Sequence, residues 1–372
     1  MYPDIVIIPL RQMASGDAIN LQVYKFIGSK PGKKVYIQSN LHGAEIVGNA
    51  VIHQLIEYLI TLNSSELKGE IWLVPVCNPM GTNERCHNFS TGRCDTYEYK
   101  DWNRIFWDYE KETKDLFGFA QSQLNFQADV VRHNYLNLIQ EKFVQLSEKN
   151  NRQSSVSYTD RFSYQLQSLS LDCDYLIDLH TSTNEGLNYL YYFRDREISA
   201  KFFLLDFGIL LDAYDGDAFD EAFIKPWLAL ESCFKKLGRD IKFDVEAWTL
   251  ELGTGMKIKP DSVEKGLRGI KNYLKYKGVL NIANITALSG EMIFKDRTKV
   301  IKYYAPVGGM VQGRVELGTQ VKSGDRLYQI LNFNKEGQLP RVIAIYAERD
   351  GLVYDASINE AVNQGEFVMG VI

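Results

Sequence analysis

Apolar and polar positions along this chain follow strand-like and helix-like spacings in turn. Two apolar stretches within residues 5–27 surround Gly16, which predicts a β-hairpin. The apolar run at 35–37 predicts a strand, and apolar residues at helical spacing over 51–59 predict a helix after it. Further strands are predicted at 71–76, 189–193 and 245–253. This alternation is typical of an α/β fold with a mixed sheet flanked by helices.

Two later regions depart from that alternation. Between about residues 108 and 168 the pattern is polar and helical, which fits either a lid over a site or a solvated helical pair on the surface. From about residue 300, short alternating strands with glycine turns predict a small all-β barrel or sandwich. We therefore predict two domains, residues 1–298 with a helical insertion and residues 299–372.

Composition and charge exclude several classes of protein. The chain is 45% hydrophobic and 24% charged, with a net charge of −5 and no basic block. Nucleic acid and anionic membranes are therefore not expected partners, and the apolar runs are too short to cross a bilayer. The N-terminus lacks the basic start and apolar core of a signal peptide. These features are compatible with a homo-oligomer.

Cysteine usage predicts a reducing, cytoplasmic environment. The five cysteines are an odd number without paired spacing. Cys86 and Cys94 are the two that most invite another interpretation, but no second pair completes a metal site or a disulfide framework. We therefore expect neither of them to bind metal or to form a disulfide.

The motif with the clearest chemistry is a histidine followed three residues later by a glutamate. His42 and Glu45 follow the strand predicted at 35–37, and this order places them at a strand end, where open α/β sheets bind ligands. His180 stands at a similar junction, two residues after Asp178. Two imidazoles and a carboxylate form a known zinc set that leaves a fourth position open for water. We therefore predict one zinc ion per chain, bound by His42, Glu45 and His180, with Asp178 as a hydrogen-bond partner of the ligands.

Five ordered segments resemble the motifs of the succinylglutamate desuccinylase and aspartoacylase family, relatives of the zinc carboxypeptidases. These segments are SNLHGAE at 39–45, NP at 78–79, DWNR at 101–104, DLH at 178–180 and TLELG at 249–253. The resemblance spans about residues 35–255 and implies a zinc-carboxypeptidase-like fold. It also implies that the reaction is hydrolysis of the amide bond of an N-acyl amino acid.

The resemblance also implies catalytic roles for particular residues. Glu251, rather than Glu246 on the same predicted strand, matches the family's catalytic glutamate. A carboxyl group at such an apolar strand end has a raised pKa, which suits a general base for water. The family's oxyanion-binding arginine follows its Asn-Pro turn, and here the expected spacing falls between Arg85 and Arg93. We favour Arg85.

Substrate contacts are expected from Asn78, Asn103 and Arg104. The Asn103-Arg104 pair matches the family's carboxylate-binding pair, and a guanidinium can bind a carboxylate through two parallel hydrogen bonds. The C-terminal region is similar to lipoyl and biotinyl carrier domains. Neither Lys322 nor Lys335 is expected to carry such a cofactor, because the sequence around Lys335 does not match a carrier motif, so we predict a structural or oligomeric role.

The sequence therefore predicts a zinc-dependent amide hydrolase that removes the acyl group from an N-acyl amino acid or a related small amine. A zinc carboxypeptidase acting on short peptides is the alternative, because it uses the same zinc and arginine geometry with a wider cleft. A non-catalytic binding protein is disfavoured, because the ligand set and Glu251 are all present.

Overall fold

A mixed sheet forms the centre of the fold in the computed structural model, which describes residues 1–150, 156–282 and 286–372. The first ten strands are β1 (Asp4–Gln12), β2 (Ala18–Ile27), β3 (Lys30–Ser39), β4 (Lys68–Val74), β5 (Tyr175–Ser182), β6 (Glu185–Gly186), β7 (Asn188–Phe193), β8 (Phe207–Leu211), β9 (Glu246–Thr254) and β10 (Ile293–Asp296). All except β6 join this sheet, in the order β1-β2-β4-β3-β5-β9-β7-β8-β10. Strands β3, β5 and β9 are parallel neighbours at its centre.

Helices cover both faces of this sheet. They are α1 (Val47–Thr61), α2 (Pro79–Asn83), α3 (Tyr109–Glu112), α4 (Leu116–Ser122), α5 (Ala128–Asn150), α6 (Tyr158–Ser170), α7 (Glu197–Ala200), α8 (Phe219–Lys236) and α9 (Pro260–Tyr276). Side chains alternate between two cores along β3, as expected for a strand buried on both faces. Val35 and Ile37 pack in the core that contains α1 and α9, whereas Tyr36 packs in the core that contains α5, α6 and α8. The predicted fold class is confirmed.

The insertion predicted at 108–168 is helical and contributes to the protein core. It contains α3, α4, α5 and most of α6, and residues 151–155 lie outside the described part of the chain. Tyr135 of α5 and Phe162 of α6 are fully buried in the core beneath α8. The insertion therefore does more than add a solvated surface.

Two antiparallel sheets make up the C-terminal region. Their strands are β11 (Ile301–Tyr304), β12 (Gly309–Gln312), β13 (Gln320–Val321), β14 (Arg326–Asn332), β15 (Arg341–Tyr346), β16 (Gly351–Ala356), β17 (Ala361–Val362) and β18 (Phe367–Val371). One sheet has the order β11-β18-β16-β13 and the other β15-β14-β12-β17. They enclose a separate core around Leu327, Tyr328 and Val368. The boundary at 298/299 stays a prediction.

The first sheet of this region is also joined to the larger part of the chain. Strand β6, which follows β5, pairs with β16 in antiparallel register. Among the described residues, no helix is both long enough and apolar enough to cross a membrane.

Candidate active site

Three side chains that can bind a metal ion meet at the C-terminal ends of two neighbouring parallel strands. His42 and Glu45 follow the end of β3, and His180 lies near the end of β5. Their candidate ligand atoms all lie within 4.8 Å of one another. Strand β9 adds Glu251, which is in register with His180 on β5. The parallel order of these strands thus brings together residues that are far apart in sequence.

The turn that carries the first two of these side chains requires particular residue types. Asn40 adopts a left-handed backbone conformation with φ of 68°, which asparagine tolerates better than most residues. Its Nδ2 donates hydrogen bonds to the carbonyl groups of His42 (3.0 Å) and Gly43 (3.1 Å). A Cβ atom on Gly43 would lie 1.9 Å from the carbonyl oxygen of Gly81, so only glycine fits there.

Each histidine of the set is held by an aspartate through its far ring nitrogen. The Nε2 atom of His42 lies 3.1 Å from Asp101 Oδ1, and that of His180 lies 2.9 Å from Asp178 Oδ2. The two Nδ1 atoms face the same Glu45 carboxylate, at 2.9 and 2.7 Å. A proton on each Nε2 donates a hydrogen bond to the adjacent aspartate and leaves a lone pair on each Nδ1. The two lone pairs then face the Glu45 carboxylate, and a cation between the three groups would satisfy all of them. Two imidazoles and one carboxylate fit zinc.

The charges in this set shift the pKa values of its members. Burial alone would raise the pKa of Glu45, but the adjacent His42 and His180 lower it below its usual range. Burial alone would lower the pKa of His180, but Asp178 and Glu45 raise it well above the usual value. The buried set is therefore built to hold positive charge beside the Glu45 carboxylate.

Glu251 has the properties of a general base beside this set. It lines the same cavity, and its Oε2 atom is buried without a hydrogen-bond partner in the structure. Burial raises the pKa of Glu251 to about 8; His180 opposes that shift, and Glu45 and Asp355 add to it. An unpartnered carboxylate oxygen with a raised proton affinity can accept a proton from water.

Glu246, the other carboxylate of β9, lies elsewhere. It accepts hydrogen bonds from Ser199 Oγ (2.7 Å), from the Tyr273 hydroxyl (2.6 Å) and from Lys277 Nζ (3.1 Å). It is not among the residues that line the cavity. Its partners account for its burial without a catalytic role.

The structure places Arg93, and not Arg85, beside the ligand set. Arg93 Nη1 lies 3.8 Å from Glu45 Oε1, its Nε lies 3.1 Å from Asp101 Oδ2, and the side chain lines the cavity. Arg85 is exposed, donates to two backbone carbonyl groups of its own turn at 2.7 Å, and is not part of the cavity lining. The structure therefore brings Arg93 to the cavity, whereas the sequence favoured Arg85.

Asn103 and Arg104 line the cavity, whereas Asn78 does not. Asn103 Oδ1 accepts a hydrogen bond from the backbone N–H of Phe219 (2.8 Å), which leaves its NH₂ group for a ligand. Asn78 is fully buried and uses both ends of its amide on the backbone. Its Nδ2 donates to the Leu41 carbonyl (2.8 Å), and its Oδ1 accepts from a backbone N–H in α2 (3.0 Å). Asn78 thus supports the ligand turn, and its contact with a substrate stays a prediction.

The cavity has a volume of about 320 Å³ and includes side chains that the sequence did not single out. Among them are Thr181, Asp220, Glu221, Lys302 and Asp355. The last two come from the C-terminal region, and Asp355 Oδ1 accepts a hydrogen bond from Ser182 Oγ (2.9 Å). The described residues of the insertion, 108–150 and 156–168, contribute nothing to the lining.

Comparisons with known proteins identify the family of the chain. Residues 31–277 match the family described as the succinylglutamate desuccinylase/aspartoacylase catalytic domain. A solved structure of a succinylglutamate desuccinylase/aspartoacylase family protein from Shewanella amazonensis is 29% identical, with a TM-score of 0.87 over 99% of this chain and 98% of the other. A protein with the same family name from Shewanella frigidimarina is 26% identical, with a TM-score of 0.88 over 100% and 98%.

A more distant structure shares the fold alone. An aspartoacylase family protein from Mesorhizobium loti is 16% identical, with a TM-score of 0.63 over 100% of this chain and 94% of the other. Among curated proteins, none matches the chain.

Proposed function

The chain belongs to the succinylglutamate desuccinylase/aspartoacylase family, a family of deacylating hydrolases, and from this premise we propose that it is a zinc-dependent amide hydrolase. The substrate that we propose is an N-acyl amino acid, from which the enzyme releases a carboxylic acid and an amine. One observation carries the proposal. The candidate zinc ligands His42, Glu45 and His180 share a cavity with Glu251, whose Oε2 atom has no hydrogen-bond partner in the structure.

The proposed chemistry assigns a task to each side chain around the scissile amide. Zinc, when bound by the three ligands, would make water more acidic and polarise the acyl carbonyl group. Glu251 accepts the proton of the attacking water and returns it to the leaving amine. Arg93 places positive charge beside the oxygen of the acyl group as that oxygen becomes negative.

Asn103 and Arg104 orient the amine half of the substrate in this proposal. The guanidinium of Arg104 and the free NH₂ group of Asn103 are hydrogen-bond donors at one side of the cavity. A free carboxylate on the product amino acid can accept from both, because a guanidinium presents parallel donors to a carboxylate. These donors favour an N-acyl amino acid over an N-acyl amine that lacks a carboxylate.

The test is the isosteric substitution Glu251→Gln. It should preserve about one zinc ion per chain and lower kcat by roughly 10²–10⁴-fold, because an amide cannot accept the proton of water. Zinc content is measured by elemental analysis, and kcat on a panel of N-acetyl amino acids and short peptides. Glu264→Gln is the matched control, since Glu264 is exposed and outside the cavity.

Two results would contradict the proposal. Full turnover in Glu251→Gln, together with its loss in Glu246→Gln, would place the base elsewhere on β9. Efficient cleavage of peptides with no cleavage of N-acetyl amino acids would identify a carboxypeptidase.

A further inference from the structure

Two adjacent carboxylates of α8 line the same cavity. Asp220 is 4% exposed and Glu221 is 8% exposed, and both contribute to the cavity wall. They occupy the first turn of α8, where the helix dipole favours negative charge. Among the described residues, neither one forms an ion pair with lysine or arginine. Buried carboxylates in proteins are normally paired, so this wall lacks its counter-charge.

Uncharged donors hold these carboxylates in place, and Glu221 also shares a hydrogen bond with the Asp215 side chain. Asp220 Oδ2 accepts from Thr249 Oγ1 (2.6 Å), and Glu221 Oε2 accepts from the backbone N–H of Gly216 (3.1 Å). Both donors are uncharged. Burial raises the pKa of both groups, that of Glu221 to about 7, with Asp220 and Asp215 adding to the shift at Glu221. A cation in the cavity would oppose this shift by stabilising the charged carboxylates.

An independent feature of the cavity also indicates a ligand. Thr181 is 2% exposed and lines the cavity, yet its Oγ1 atom has no hydrogen-bond partner in the structure. A buried hydroxyl group normally has a partner, so a bound molecule is expected to supply it. The two carboxylates therefore call for a ligand with donor groups, and the Thr181 hydroxyl can either donate to or accept from the same ligand.

The acidic pair lies next to the proposed carboxylate-binding residues. Asn103 accepts a hydrogen bond from Phe219, the residue immediately before Asp220, and Arg104 follows Asn103 in the chain. The cavity therefore presents donors for an anion and acceptors for a cation close to each other. A molecule with one carboxylate and one ammonium group matches this distribution of charge.

We propose that Asp220 and Glu221 bind an ammonium group of the substrate, which makes the preferred substrate an N-acylated diamino acid. This inference rests on the proposed function and specifies the amine half of its substrate. The free carboxylate of the substrate binds Arg104 and Asn103, and the side-chain ammonium donates hydrogen bonds to the two acidic side chains.

The experiment compares matched substrates. Nα-Acetyl-L-ornithine carries the ammonium group, N-acetyl-L-norvaline lacks it, and N-acetyl-L-glutamate carries an anion in its place. The wild type should hydrolyse the ornithine derivative with a kcat/KM at least about tenfold above that of the other two, mainly through KM, because the unpaired carboxylates gain a partner. Glu221→Gln and Asp220→Asn should each lower that preference towards equality.

Asp217→Asn is the matched control. It removes a negative charge from the same segment, but Asp217 pairs with Lys111 and is not part of the cavity lining, so the preference should remain. Equal or better hydrolysis of the glutamate derivative by the wild type would overturn the inference. A uniform loss on all three substrates in both variants would also overturn it, since that pattern indicates a structural role.

A failure of the proposed function can be distinguished from a failure of the inference about the acidic pair. If the three substrates and the whole panel of N-acetyl amino acids and short peptides stay intact, the amide hydrolase proposal fails, and the acidic pair is then tested by binding alone. Calorimetric titration with L-ornithine and L-norvaline should still show tighter binding of ornithine. Equal binding of the two would overturn the inference independently of catalysis.

Discussion

Arg93 reaches the ligand set because backbone hydrogen bonds join its loop to the ligand turn. The N–H of Gly43 donates to the carbonyl of Gly92 (2.9 Å), and the N–H of Ala44 donates to that of Thr91 (3.2 Å). A Cβ atom on Gly92 would lie 2.1 Å from the carbonyl oxygen of Gly81, so glycine is required in this loop as well. This close backbone packing determines which arginine faces the cavity.

The two arginines should respond differently to removal of the side chain. Arg93→Ala should lower kcat/KM by roughly 10²–10³-fold, because it removes positive charge beside the developing oxyanion. Arg85→Ala is the matched control and should leave kcat/KM within about twofold, as expected for an exposed side chain outside the site. Steady-state kinetics on one N-acetyl amino acid distinguishes them. The reverse order of effects would restore Arg85 to the site.

Helix α8, which carries the acidic pair, is joined to the start of β9 through a buried ion pair. Arg196 Nη1 lies 3.1 Å from Glu231 Oε2, and its Nη2 lies 2.8 Å from Glu231 Oε1. Arg196 also donates to the carbonyl groups of Phe243 (3.4 Å) and Val245 (3.3 Å), directly before β9. The pair therefore sets the position of α8 relative to the strand that carries Glu251.

Breaking this ion pair should be costly. Arg196→Met should lower the free energy of unfolding by about 3–5 kcal/mol, because Glu231 would remain buried without its counter-charge. Lys242→Met, which removes the exposed Lys242–Asp195 pair (3.5 Å), should cost less than about 1 kcal/mol. Urea unfolding of both variants measures the difference. Similar small losses in both would show that α8 does not depend on the pair.

At the scale of the whole molecule, the metal should stabilise the fold as well as the reaction. Zinc at about 100 times its dissociation constant adds about 2.7 kcal/mol to the stability of a protein that binds it only when folded. Removal of zinc by a chelator should therefore lower the thermal midpoint by several degrees. The shift is measured by calorimetry with and without added zinc.

Two histidine variants assign this shift to the site. His180→Ala should abolish both the shift and the bound zinc, because it removes a ligand. His53→Ala should keep both, since the His53 side chain is 70% exposed and distant from the set in the fold. A His180→Ala protein that still binds about one zinc ion per chain would contradict the assignment.

The C-terminal region is more than an appended structural unit. Its strand β16 pairs with β6, and the rings of Tyr189 and Tyr354 contact edge to face at 5.6 Å. Lys302 and Asp355 complete the cavity wall. The sequence predicted only a structural or oligomeric role for this region, whereas two of its side chains line the cavity.

Local sequence pattern was sufficient for most of the fold and for the metal-binding set. Apolar spacing predicted the hairpin of β1 and β2, the strand β3 and the helix α1, because burial on one or both faces dictates that spacing. His42 and Glu45 are three residues apart, and His180 and Glu251 stand at the ends of strands that the pattern had also predicted. Parallel strands place their C-terminal ends at one edge of the sheet, which grouped His42, Glu45 and His180, whereas the choice of Glu251 followed from the family resemblance.

Tertiary structure alone decided the rest of the site. Spacing along the chain fell between Arg85 and Arg93 and we favoured Arg85, but the packing of glycine backbones around the ligand turn places Arg93 beside the ligand set. Asp220 and Glu221 have the sequence of an ordinary acidic helix start, and only the docking of α8 turns them towards the cavity. Asp355 reaches the cavity because its strand, β16, pairs with β6, which lies far from it in the sequence. Such contacts depend on how whole elements pack, and the periodicity of a single element carries no information about them.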